Sequence, residues 1–100
     1  MNIGKMMKDL QKMQAKLQEE IDALEVEGTS GGGVVTARMN GKKQLTGLTF
    51  TPEAITPEDP GLLQDLVLAA VNEAGRKVDD EIQRMTQGLA GGLGGFPGIS

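Results

Sequence analysis

Cysteine, histidine, tryptophan and tyrosine are all absent from this 100-residue chain, and phenylalanine occurs only twice. Without Cys and His there are no disulfides, no thiol nucleophile, no zinc site of the usual kinds and no histidine general base. Long apolar runs are also lacking. No segment approaches the ~20 residues needed to span a bilayer, and the opening Met1-Asn2-Ile3-Gly4-Lys5 carries no apolar run resembling a signal peptide. These absences set the expectation of a cytoplasmic protein with no membrane, no metal, no cofactor and no small-molecule substrate. Phosphate-binding and metalloprotease signatures are missing too. Gly31-Gly32-Gly33 reads as a loop between strands, and Asp79-Asp80-Glu81 is a solvated helix face whose carboxylates diverge. The expectation is therefore not an enzyme.

Hydrophobic residues make up 38% of the chain, and six of its 15 glycines fall between Gly88 and Gly98. About 85 residues remain to build a core, thin for a stable monomer. Residues 1–88 read as one α-β-β-β-α domain and 89–100 as a Gly-rich disordered tail.

Met6, Leu10, Met13, Leu17, Ile21 and Leu24 recur every three or four positions, which predicts a helix over residues 3–24 with one apolar stripe. Gly28 to Gly33 reads as a break, with Leu24 and Val26 opening a short strand before it. Val34 to Met39 is rich in β-branched residues and predicts a strand. Asn40-Gly41 predicts a two-residue type I′ hairpin turn, Lys42 to Phe50 the return strand, and Gly47 a bulge. Asp59-Pro60 has the form of an N-cap followed by proline at the first helical position, with Thr56-Pro57 as the alternative start. The second helix then runs from about 60 to 87 and stops at Gly88. In mid-helix, Gly75 costs about 1 kcal/mol relative to Ala, which close backbone packing around Ala70, Ala74 and Gly75 would offset.

The fold class is thus α+β: a long N-terminal helix, a small antiparallel three-stranded sheet and a long C-terminal helix. At 1.5 Å per residue the helices would be ~33 and ~42 Å long, against ~20–23 Å for such strands. Both overhang the sheet, so their stripes must cover each other or meet a second copy. The open strand edges favour a homodimer.

The net charge is −4, yet it is unevenly spread. Residues 1–18 carry Lys5, Lys8, Lys12 and Lys16 against Asp9 alone, and 19–27 carry five acids and no base. The four lysines share one helix face, roughly 130° from the apolar stripe. Like charges at i,i+4 and cations near a helix N-terminus both oppose helix stability. A partner explains this arrangement better than the helix does, and lysines at ~5–6 Å intervals can follow a phosphate backbone. No base-reading Arg or Asn and no stacking aromatic accompanies them, so contact with DNA would have little sequence preference and strong salt dependence. Arg76, Lys77 and Arg84 are secondary candidates. Glu73–Lys77, Arg76–Asp80 and Asp80–Arg84 would also serve as i,i+4 ion pairs on a solvated face. The alternative reading is a protein–protein interaction module that uses Met- and Gln-rich helix surfaces, with DNA contact incidental.

Four stretches carry a family resemblance: Met6-Met7-Lys8-Asp9-Leu10-Gln11-Lys12-Met13-Gln14; Leu24 to Gly28 with Gly32 to Val35 and Asn40-Gly41; Asp65 to Ala74 with Arg76-Lys77; and Phe96-Pro97-Gly98. In this order they resemble the YbaB/EbfC family of bacterial nucleoid-associated DNA-binding proteins across nearly the whole chain. The resemblance implies a tweezer-like homodimer whose sheets join at the centre while the helices project. It also implies binding to double-stranded DNA and association with the nucleoid. Carried onto this chain, its basic helical surfaces are Lys5, Lys8, Lys12 and Lys16, followed by Arg76, Lys77 and Arg84.

Overall fold

The computed structural model describes residues 2–92. Helix α1 spans Ile3–Asp22, strands β1 Glu25–Ser30, β2 Val35–Asn40 and β3 Leu45–Phe50 follow, and helix α2 spans Pro60–Gly92 after a 3-10 turn at Pro52–Ala54. The strands form one antiparallel meander in the order β1-β2-β3. The expected fold class is the one observed.

Residues paired across an antiparallel ladder point to the same face, so the register defines the sheet's inner side. Its rows are Ser30–Val35–Phe50, Gly28–Ala37–Leu48 and Val26–Met39–Leu45. Side-chain size rises across the first two rows from β1 to β3. The opposite face carries Glu25, Glu27, Thr36, Arg38 and Thr49. Helix α2 lies over the small side, packed on β1 and β2. A Cβ on Gly28 would overlap the backbone of Ala70 and Ala74. The helix and strand backbones therefore meet there with no side chain between them. Two bonds hold β1 on either side of this contact. Ser30 Oγ donates to Leu66 O at 2.5 Å, and Lys77 Nζ donates to Glu27 O at 2.7 Å. The buried core is Val35, Ala37, Met39, Ala54, Ala70, Ala74 and Val78, with Val35 and Val78 as its large fully buried side chains.

Several local expectations change. The break at Gly28 is in fact strand, because glycine is what allows α2 to close on it. The positive-φ pair that a type I′ turn needs lies at Gly31 (61°) and Gly32 (74°), not at Asn40-Gly41, and Gly33 N–H donates to Ser30 O at 3.0 Å. The β2–β3 connection is longer: Lys43 N–H donates to Asn40 O, Asn40 N–H to Gln44 O, and Lys43 takes the positive φ of 61°. Gly41 is needed for a different reason, since a Cβ there would strike the Ile21 carbonyl at the end of α1. The bulge at Gly47 is present, as the pairing skips Thr46 between Arg38–Gly47 and Met39–Leu45. Asp59 caps α2, its Oδ1 accepting from Leu62 N–H at 3.1 Å. The helix passes Gly88 and continues to Gly92. The remainder of the expected tail, 93–100, lies outside the described residues.

The two helices do not cover each other. Ile21 is the one buried residue of α1, and Ile3, Met6, Met7, Leu10 and Met13 are exposed. The protein measures 70 × 25 × 16 Å with a Cα radius of gyration of 19.1 Å, against about 13 Å for a compact chain of this size. Helix α1 is an arm, about 30 Å long.

Close packing also does not account for Gly75, where an added Cβ would meet only the end of Lys43 in ordinary contact. Gly75→Ala should therefore stabilise the fold by about 1 kcal/mol and raise Tm by about 4 °C or more. Gly28→Ala should cost about 3 kcal/mol or more, because the helix must lift off the strand. Thermal or urea unfolding of the two variants checks both signs.

Candidate nucleic-acid interface

The arm starts with Asn2, whose side chain accepts from Lys5 N–H at 3.1 Å. Its first turn holds no acid and its last turn no base, so the charge pattern runs against the helix dipole along its whole length. Lys5, Lys8, Lys12 and Lys16 are all exposed, and among the described residues none of them makes an ion pair. Their row extends about 17 Å along the axis, comparable with a few phosphate steps of a duplex.

The cations of the body are placed differently. Arg38 bonds Glu27 across the outer sheet face at 2.8 Å and approaches Glu25 at 3.8 Å. The hydrogen bond and charge of Glu27 raise the Arg38 pKa further above its usual range. Lys43 pairs with Asp79 at 2.9 Å. Lys77 pairs with Glu73 at 3.3 Å, as its spacing predicts, and its ammonium also holds the Glu27 carbonyl. Arg84 pairs with Glu81, the neighbour of the expected Asp80. Arg76 forms no ion pair among the described residues, so the expected Arg76–Asp80 pair is not made. It lines a shallow depression with Lys43, Asp79 and Met39. The structure thus brings the four α1 lysines together on one surface and leaves Arg76, Lys77 and Arg84 on a separate element, two of the three engaged by carboxylates.

Among the described residues no group of three acidic side chains gathers to hold a metal ion. No helix among them is long and apolar enough to cross a membrane.

The model of the YbaB/EbfC DNA-binding family matches residues 1–93. A nucleoid-associated protein of Acetivibrio thermocellus is 45% identical over 98% of this chain and 89% of its own. One from Pelotomaculum thermopropionicum is 46% identical over 98% and 95%, and one from Chloroflexus aurantiacus 43% over 91% of each. Among solved structures, the uncharacterized protein HP0035 from Helicobacter pylori has the same fold, with a TM-score of 0.71 at 22% identity over 87% of this chain and 91% of that one.

The different positions of Arg76 and Lys77 can be told apart by stability. Lys77→Ala should lower the urea midpoint, since it frees the Glu27 carbonyl and one pin of β1. Arg76→Ala should leave the midpoint unchanged.

Proposed function

The chain belongs to the YbaB/EbfC DNA-binding family, a family of nucleoid-associated proteins and not of enzymes, and on that premise we propose that it binds duplex DNA as a homodimer through the α1 lysines. The observation that carries this reading is a row of four exposed lysines, without ion pairs among the described residues, on an arm that projects from an otherwise acidic body. Such a row contacts phosphates and no base edges, so affinity is set by counterion release and depends little on sequence. Arg76 adds a weaker contact, while Lys77 and Arg84 contribute less than their charge alone implies. The place of action is the nucleoid.

The dimer rests on the open side of the sheet. Helix α2 covers β1 and β2, and the largest inner-face residues stand beyond it on β3, with Leu45 47% and Phe50 40% exposed. On the neighbouring flank of α2, Val67, Leu68 and Val71 line an apolar groove with Gln64. Among the described residues β3 is also an edge strand with one side unpaired. A twofold contact here covers both the strand edge and the apolar column, joining two sheets at the centre and holding an arm at each side.

Two measurements test this. Titration of duplex DNA at rising salt should show steep weakening for the native chain. Lys5→Ala/Lys8→Ala/Lys12→Ala should bind more weakly, with a log–log slope flatter by about 0.9 for each phosphate no longer neutralised. Equal affinity or an unchanged slope would refute the lysine assignment. In sedimentation equilibrium the native chain should run at no less than twice its own mass, and Leu45→Asp/Phe50→Asp should lower that mass. A native monomer at micromolar concentration would end the dimer reading.

A further inference from the structure

The lysine row occupies one face of α1 and leaves another face without a function. Ile3, Met6, Leu10, Met13 and Leu17 follow a 3-4-3-4 spacing, the pattern of a coiled-coil seam. The first four are open to solvent, with Met6 53%, Leu10 50% and Met13 53% exposed, and a groove runs beside them between Met13, Lys16, Leu17 and Glu20. Among the described residues no other element packs along this seam, since α1 is anchored only near Ile21.

We propose that the seam docks on the same seam of a second copy, with the two α1 helices antiparallel. Its own sequence makes it self-complementary in that direction. In the register that sets Leu10 on the partner's Met13, Met6 falls on the partner's Leu17, and both layers repeat by symmetry. Beside the seam, Asp9 then faces the partner's Lys16, again twice. An in-register parallel pair lacks this Asp9–Lys16 contact and sets the carboxylates at positions 19, 20 and 22 beside their own copies.

The proposal deepens the DNA-binding reading. The lysine row is roughly 130° around the helix from the seam, so pairing leaves Lys5, Lys8 and Lys12 outward on both arms. A paired set of arms presents two lysine rows facing away from each other and can hold two duplexes at once. Combined with a second twofold contact at β3, it also allows assemblies larger than a dimer.

The absence of native cysteine permits a direct test on the full chain. Met6→Cys and Leu17→Cys are made singly and together, and oxidised without DNA. In an antiparallel pair each residue lies about 16 Å along the axis from its own copy, and the same distance separates positions 6 and 17 within one helix. The double variant should form a covalent species of twice the chain mass, and neither single variant should. Cross-linking of Met6→Cys alone would mean parallel or unspecific contact. No cross-link in any variant, with circular dichroism showing α1 intact, would leave the seam to a lipid surface or a different helix. Either result overturns the proposal. Asp9→Lys and Lys16→Asp supply a second readout: each alone should reduce cross-linking of the double-cysteine chain, and together they should restore it. The cross-link needs no DNA, so it stands or falls separately from the salt titration, while simultaneous capture of two labelled duplexes by the cross-linked species tests the connection between them.

Discussion

The close approach of β1 to α2 at Gly28 governs the rest of the molecule. With no Cβ at that point, the strand backbone lies against Ala70 and Ala74, and Ser30 and Lys77 fasten it on either side. A helix that closes this far onto one edge of a three-stranded sheet cannot also cover the other edge. The larger residues of β3 are left open as a consequence.

A core of this kind contributes little for its length. Four of its seven members are alanine, and burial stabilises in proportion to apolar area, at about 25 cal/mol per Å². Ten large hydrophobic side chains are meanwhile exposed among the described residues, more than scattered surface positions require. Most of them fall into two groups that are well separated in the fold: one on β3 and the flank of α2, the other along α1. Two groups in different places, each with its own pattern, are more naturally covered by two contacts than by one.

Much of this architecture was legible in the sequence because the signals were local. The α1 stripe, the Asp59-Pro60 cap and the Gly47 bulge each depend on residues a few positions apart. What escaped was decided at long range. Gly28 looks like loop until α2, more than 40 residues later, is seen to need it, and Asn40-Gly41 has the composition of a tight turn although Gly41 serves the end of α1 instead. Continuation of α2 past Gly88 had no local signal in its favour. The candidate surface divides in the same way. The four α1 lysines were visible as a periodic row, and among the described residues none of them is taken up by an ion pair. Lys77 looked equivalent by charge and composition, but its ammonium is held by a carbonyl 50 positions away, which no spacing rule anticipates.

The net charge of −4 gains meaning from this placement. The four lysines and Asp9 give residues 1–18 a charge of about +3, so the rest of the chain carries about −7. A compact arrangement of the same residues would bury the lysines' field in that of the acids and repel DNA at every approach. The arm separates them. Lys5 and Lys8 sit about 20–25 Å along the helix from Asp22, two or more Debye lengths at physiological salt, whereas Lys16 is within about 9 Å of it. The outer lysines therefore act as cations toward an approaching phosphate, and the inner one is partly neutralised by its own helix. In the proposed binding mode the acidic body keeps the duplex at the arm and away from the core. An acidic protein can in this way carry a basic DNA surface, provided that the basic residues stand on an element the fold does not take back.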